Sequence, residues 1–155
     1  MSSVKAEKSS EPSWASAMTA SSVSRARVTS GASAAGVSWT ATGGALRRSD
    51  GGLVGDLAVQ TIRQFKVDYA VIGTSALDEE GDMLDYDLAE VRVSRMILRQ
   101  ARRTFLVTDA SKLTRTAPVV LGSLSEVDTV FTDAPLPERL EALCAEWGTT
   151  VTVAV

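Results

Sequence analysis

Three segments of the chain run from apolar residues into small, hydroxylic and acidic ones: VIGTSALD (71–78), LVTDASKL (106–113) and VFTDAPLP (130–137). Apolar runs of this length that stop at such residues read as strands buried in a parallel sheet. Ligands in open parallel sheets bind beyond the carboxyl ends of the strands, so the three loops should line one edge of the molecule. That edge would carry Gly73, Thr74, Ser75, Asp78, Asp109, Ser111, Lys112 and Asp133.

Helical patterns separate the strands. Val54, Leu57, Ala58, Thr61, Ile62 and Phe65 recur at helical spacing, which predicts a helix beginning soon after Gly52. DYAVIG (68–73) predicts a parallel strand between two covering layers. Leu88, Val91, Ile97 and Ala101 predict a second helix, with Asp87 as N-cap, Glu90 in capping-box position, and Arg99, Arg102 and Arg103 at its C-terminal end. Strands TFLVTD (104–109) and DTVFTD (128–133), a helix starting near Pro137 and a β-branched run TTVTVAV complete the pattern. The expected class is α/β, a parallel sheet with flanking helices.

Composition excludes several functions. A net charge of −3 gives no support for general attraction to a polyanion. The single cysteine cannot close an internal disulfide, and the absence of histidine removes the usual metal sites, so no metal or cofactor is implied. No apolar run approaches the ~18–20 residues of a membrane helix. A cytoplasmic protein with no membrane partner is the expectation. Residues 1–45 contain no Leu, Ile, Phe or Tyr, and serine fills twelve of the first forty positions. So little bulky apolar surface predicts disorder over 1–41, with the ordered domain spanning 42–155. Trp14 and Trp39, in that low-complexity stretch, offer no stacking platform for nucleic acid.

The stretch TGGALRRSDGGLVGD (42–56) joins glycines and two arginines ahead of the first helix. It lacks the lysine of a P-loop, and Asp50 stands where a dinucleotide fingerprint needs its first glycine. Two readings remain. Converging N–H groups, Arg47, Arg48 and a helix N-terminus near Leu53 could hold a phosphate, or the stretch is a turn with solvated arginines.

From residue 42 onward the ordered landmarks GG-x-x-R, D-x-x-x-x-G, E-x-x-x-x-R, D-x-S-K and TDAP resemble the C-terminal sensor domain of DeoR-family bacterial transcriptional regulators. The resemblance implies a Rossmann-like α/β sensor, related in fold to sugar-phosphate isomerases, that binds a phosphorylated sugar or polyol, with glycerol 3-phosphate a candidate. By motif position it implies ligand contacts at Gly43, Gly44, Arg47, Gly73, Ser75, Glu90 and Lys112. Arg47 and Lys112 would supply charge to the phosphate, and Asp78, Asp85 or Glu90 would accept ligand hydroxyls. It also implies association into homo-oligomers or with full-length relatives.

The sequence departs from the family pattern in two places. Ser94 stands where a lysine usually precedes the helix arginine, here Arg95. Residues 1–41 show no likeness to the family's helix-turn-helix or to the opening of its sensor domain, as expected of a truncated or frame-shifted reading frame. The sheet should then be incomplete on its N-terminal side, and the chain should not bind DNA directly. A non-enzymatic sensor is the leading reading. The alternatives are an isomerase or deaminase with Glu90 or an aspartate as base and Lys112 as electrostatic stabiliser, and a remnant without function. Competing structural roles are a capping acid for Glu90, a solvated side chain for Lys112, turn caps for Asp109 and Asp133, and a core position for Cys144.

Overall fold

The computed structural model describes residues 41–48 and 50–154, so the segment holding Trp14 and Trp39 lies outside the described residues. The described chain opens with a hairpin, β1 (Ala45–Leu46) against β2 (Leu53–Val54). Helix α1 (Asp56–Arg63) follows. Then come β3 (Val67–Ile72), β4 (Ala76–Leu77), β5 (Asp82–Asp85), α2 (Leu88–Gln100), β6 (Ala101–Val107), β7 (Val119–Ser123), β8 (Thr129–Thr132), α3 (Glu138–Trp147) and β9 (Thr150–Val153).

Four strands, in the order β3-β6-β8-β9, form a wholly parallel sheet. Their registers pair Ile72 with Leu106, Leu106 with Val130 and Val130 with Val151. Ile72, Leu106 and Val130 meet Val91 of α2 and Leu140 and Cys144 of α3 in one buried cluster. Burying each such large aliphatic contributes about 1.5–3 kcal/mol. Cys144 is a core residue, and burial pushes its thiol pKa up.

A second, antiparallel sheet of order β4-β5-β7 was not expected from the sequence. Its strands are short, and β7 is supplied from beyond β6. It carries the chain from the end of β3 to the start of α2 and turns Asp85 toward the carboxyl end of the parallel sheet.

Two local expectations change. Arg102 and Arg103 belong to β6, because α2 stops at Gln100 and its C-cap Ala101 is already extended. Among the described residues strand β3 is covered on one face only: Ala70 and Ile72 are buried, whereas Val67, Tyr69 and Val71 are exposed. On that open face the Tyr69 ring stacks on Phe105 at 5.6 Å and Phe105 meets Phe131 edge-on at 5.8 Å. Helix α3 follows Pro137 as expected and ends at Gly148, whose φ of 78° is the left-handed C-cap that glycine adopts without a Cβ clash. Among the described residues no helix is long and apolar enough to cross a membrane.

Candidate functional site

Beyond the carboxyl ends of β3 and β6 lies a cleft of about 200 Å3, lined by Arg47, Gly73, Thr74, Ser75, Asp85, Tyr86, Asp87, Glu90, Lys112 and Arg115. Pockets for drug-sized ligands run to roughly 300–1,000 Å3, so this volume suits a small metabolite. Distant segments build it. The β3 end supplies Gly73–Ser75, the β5–α2 corner Asp85–Glu90, the turn after β6 Lys112 and Arg115, and the β1–β2 hairpin Arg47.

Arg47 is held on three sides. Its Nε donates to Asp50 Oδ1 at 3.2 Å, Nη2 pairs with Asp50 Oδ2, Nη1 donates to Asp87 Oδ2 at 2.7 Å, and Nη1 lies 2.6 Å from Glu90 Oε2. The Asp50 hydrogen bond above all raises the guanidinium pKa beyond its usual range. The same bond holds Asp50 below the ordinary carboxylate range. Asp87 is lowered first by the Ala89 amide, which it caps at 2.8 Å, and then by Arg47. Glu90 goes the other way: burial, reinforced by the nearby Asp85 charge, outweighs Arg47 and raises its carboxyl pKa. Glu90 is therefore a cleft residue paired with Arg47 instead of the capping-box acid of α2, whose N-cap role falls to Asp87 alone.

Lys112 contrasts with this. It sits in a 3-10 turn, Ala110–Thr114, whose first amides are fixed by two carboxylates: Asp109 accepts from the Ser111 N–H at 2.9 Å and Asp133 from the Ala110 N–H at 2.8 Å. Both aspartates act as turn caps, and Asp109 is held below its ordinary range chiefly by Ser111. The turn buries Lys112 to 8% exposure, so it is not a solvated lysine. Its Nζ has one acidic neighbour among the described residues, Asp109 Oδ2 at 3.5 Å.

Of the residues marked by the sequence, the structure brings Arg47, Gly73, Thr74, Ser75, Asp85, Glu90 and Lys112 to the cleft. Asp78 is elsewhere. It makes the β4–β5 turn, where its Oδ1 accepts from the Glu80 and Asp82 amides at 3.1 and 2.8 Å, so its carboxylate is taken up by backbone. Gly43 and Gly44 also lie outside the lining. A Cβ on Gly44 would come within 2.6 Å of the Val54 carbonyl oxygen, at a φ of 113°, so glycine there serves close packing of the hairpin on α1. The glycine-arginine stretch is thus a tight turn that delivers Arg47, with the Arg47 amide donating to Gly52 O at 2.8 Å. Arg48 is exposed outside the cleft. The first helix starts at Asp56 instead of near Leu53, and that acidic residue pairs with Arg92 at 3.0 Å.

The sequence reading missed Tyr86 and Arg115. Arg115 follows Lys112 by three residues, and in a turn of three residues per cycle that spacing places both on one side. The Tyr86 hydroxyl donates to Thr116 O at 2.8 Å, tying the β5–α2 corner to the segment carrying Arg115.

The family model of the DeoR C-terminal sensor domain matches residues 17–134. The chain belongs to this family. The match begins ahead of residue 42 and takes in positions outside the described residues. Over 95 residues the chain is 45% identical to the glycerol-3-phosphate regulon repressor of Escherichia coli K12, covering 61% of this chain and 38% of that protein. Over 94 residues it is 50% identical to the repressor of the same name from Haemophilus influenzae, covering 60% and 36%. The HTH-type transcriptional repressor CsqR of E. coli is 31% identical over 100 residues, covering 64% and 38%. The chain thus matches well under half the length of these curated relatives. The α/β architecture with its parallel sheet is the one expected of a DeoR-type sensor domain.

Proposed function

We propose that this chain is the effector-sensing part of a DeoR-type transcriptional repressor, and that the cleft binds a phosphorylated sugar or polyol. The observation that carries the reading is the buried Lys112, a cation facing the cleft with a single 3.5 Å acidic neighbour among the described residues. Holding an ammonium away from water costs free energy unless it meets an anion, and a phosphate would satisfy it. Ser75 beside it can hydrogen-bond a ligand oxygen, and Asp85 and Glu90 can accept ligand hydroxyls. The names of the E. coli and H. influenzae relatives make glycerol 3-phosphate the first candidate.

The reading is one of sensing in the cytoplasm. An isomerase using Glu90 as its base would need that carboxylate free, whereas it is engaged by Arg47. Residues 42–155 hold the cleft of the sensing unit, whose family match reaches back to residue 17, and the exposed Val67, Tyr69 and Val71 offer an apolar surface for association with another copy or a full-length relative.

Calorimetry of the full chain with glycerol 3-phosphate and with fructose phosphates tests the proposal. Saturable binding is expected, weakened about 10- to 100-fold in Lys112→Met, the loss of one charge-assisted hydrogen bond. Absence of binding heat with every phosphorylated ligand would overturn it.

A further inference from the structure

The charges around the cleft are sorted along the chain. The corner from Asp85 to Glu90 contributes three carboxylates, whereas the turn after β6 contributes Lys112 and Arg115. The third lining cation, Arg47, is already shared among Asp50, Asp87 and Glu90. The acidic side of the lining therefore carries three carboxylates for one guanidinium, itself also paired with Asp50 behind it, and burial followed by the Asp85 charge makes Glu90 hold its proton more tightly than an ordinary glutamate. On the basic side, Arg115 makes no ion pair among the described residues, and Lys112 has only its long contact with Asp109.

Such a cleft can neutralise one anionic group. A phosphate between Lys112 and Arg115 meets two available cations. A second anion on the same small ligand would be driven toward carboxylates that outnumber their cation, and like charges at close range repel strongly where water is scarce. Neutral hydroxyls placed there would instead donate to Asp85 or Glu90.

We infer that the cleft selects by the charge at the ligand's far end. It accepts a monophosphate ester of a hydroxylated carbon chain, anchored by Arg115 together with Lys112, and rejects a ligand bearing a second anion such as a carboxylate or another phosphate. The inference rests on the phosphate-binding reading above and names the substrate class within it.

The test is calorimetry of the full chain at pH 7 and fixed ionic strength with glycerol 3-phosphate and 3-phosphoglycerate, which share a three-carbon backbone and differ in the far group. Glycerol 3-phosphate is expected to bind about tenfold or more tightly. Glu90→Gln, which removes one repelling charge, narrows that ratio. Arg115→Gln, an exposed position, weakens both ligands by a similar factor and preserves the ratio. Equal affinities in the wild-type chain, or a preference for 3-phosphoglycerate, overturn the charge selection while leaving phosphate binding intact. No binding of either ligand or of inorganic phosphate overturns the phosphate reading and this inference with it. The wild-type comparison decides the matter even if Glu90→Gln does not fold.

Discussion

Arg47 and Lys112 line the same cleft, yet they hold their charge in opposite ways. Arg47 is delivered by a hairpin and fastened to Asp50, Asp87 and Glu90, so its charge is spent inside the protein, joining the hairpin to the start of α2. Lys112 is buried by a 3-10 turn and meets one carboxylate at 3.5 Å, so its charge is left for something outside the chain. A cation in a pocket is a binding group only to the extent that the fold has not already paired it. By that measure the glycine-arginine stretch, which looks most like a phosphate loop in the sequence, is chiefly a structural clasp, and the lysine turn is the binding element we propose.

The contrast is broken most directly by removing each cation in turn. Arg47→Met should leave three carboxylates without their shared partner and lower stability by about 1–3 kcal/mol, less than a fully buried pair because the cluster is partly exposed. Lys112→Met should change stability by no more than about 1 kcal/mol, since one weak contact is exchanged for an apolar side chain. Urea unfolding of both variants measures the difference, and equal losses would erase the distinction.

A pH series sharpens it further. In the folded chain the Glu90 carboxyl lies above its ordinary value, so between that value and the raised one the native state binds more protons than the unfolded chain. Stability from this group therefore rises as pH falls through that window. Asp50 and Asp87 are lowered, so their contribution is complete above the ordinary aspartate range and is lost as pH falls through their depressed folded values. Melting temperatures should climb slightly on mild acidification and then decline. Glu90→Gln should abolish the climb and keep the decline. A climb that persists in the variant would assign it to another group.

On affinity, the smallest effect belongs to Asp78. Asp78→Ala removes two backbone-to-carboxylate hydrogen bonds from a turn and should cost about 0.5–1.5 kcal/mol, with no change in affinity for glycerol 3-phosphate. A loss of affinity would return Asp78 to the site.

The parallel sheet was legible because its strands carry short apolar segments, AVI (70–72), FLV (105–107) and VF (130–131), that end in residues suited to turns. Glu90 was not legible in full. Its spacing from Asp87 fits a capping box, and the partner that draws it away, Arg47, is brought near only by the tertiary fold. The antiparallel sheet escaped because β4 contributes two residues and its neighbours' pairing with β7 is non-local. Arg102 and Arg103 suit a helix end as well as they suit an exposed stretch of strand, so charge alone could not place the boundary. The half-open β3 could not be read because an apolar run does not say whether both its faces are covered.

The strand order β3-β6-β8-β9 is also the order of synthesis. Each new strand docks on the edge left by the one before, through a crossover already made, and none has to be inserted between two neighbours. A sheet of this kind can grow in one direction as the chain emerges, with β9 closing the growing side last. Parallel pairing is slow because every strand contact must wait for an intervening segment to form. The time spent between β3 and β9 is then the period in which Tyr69, Phe105 and the edge of β3, unpaired among the described residues, are most available to other chains.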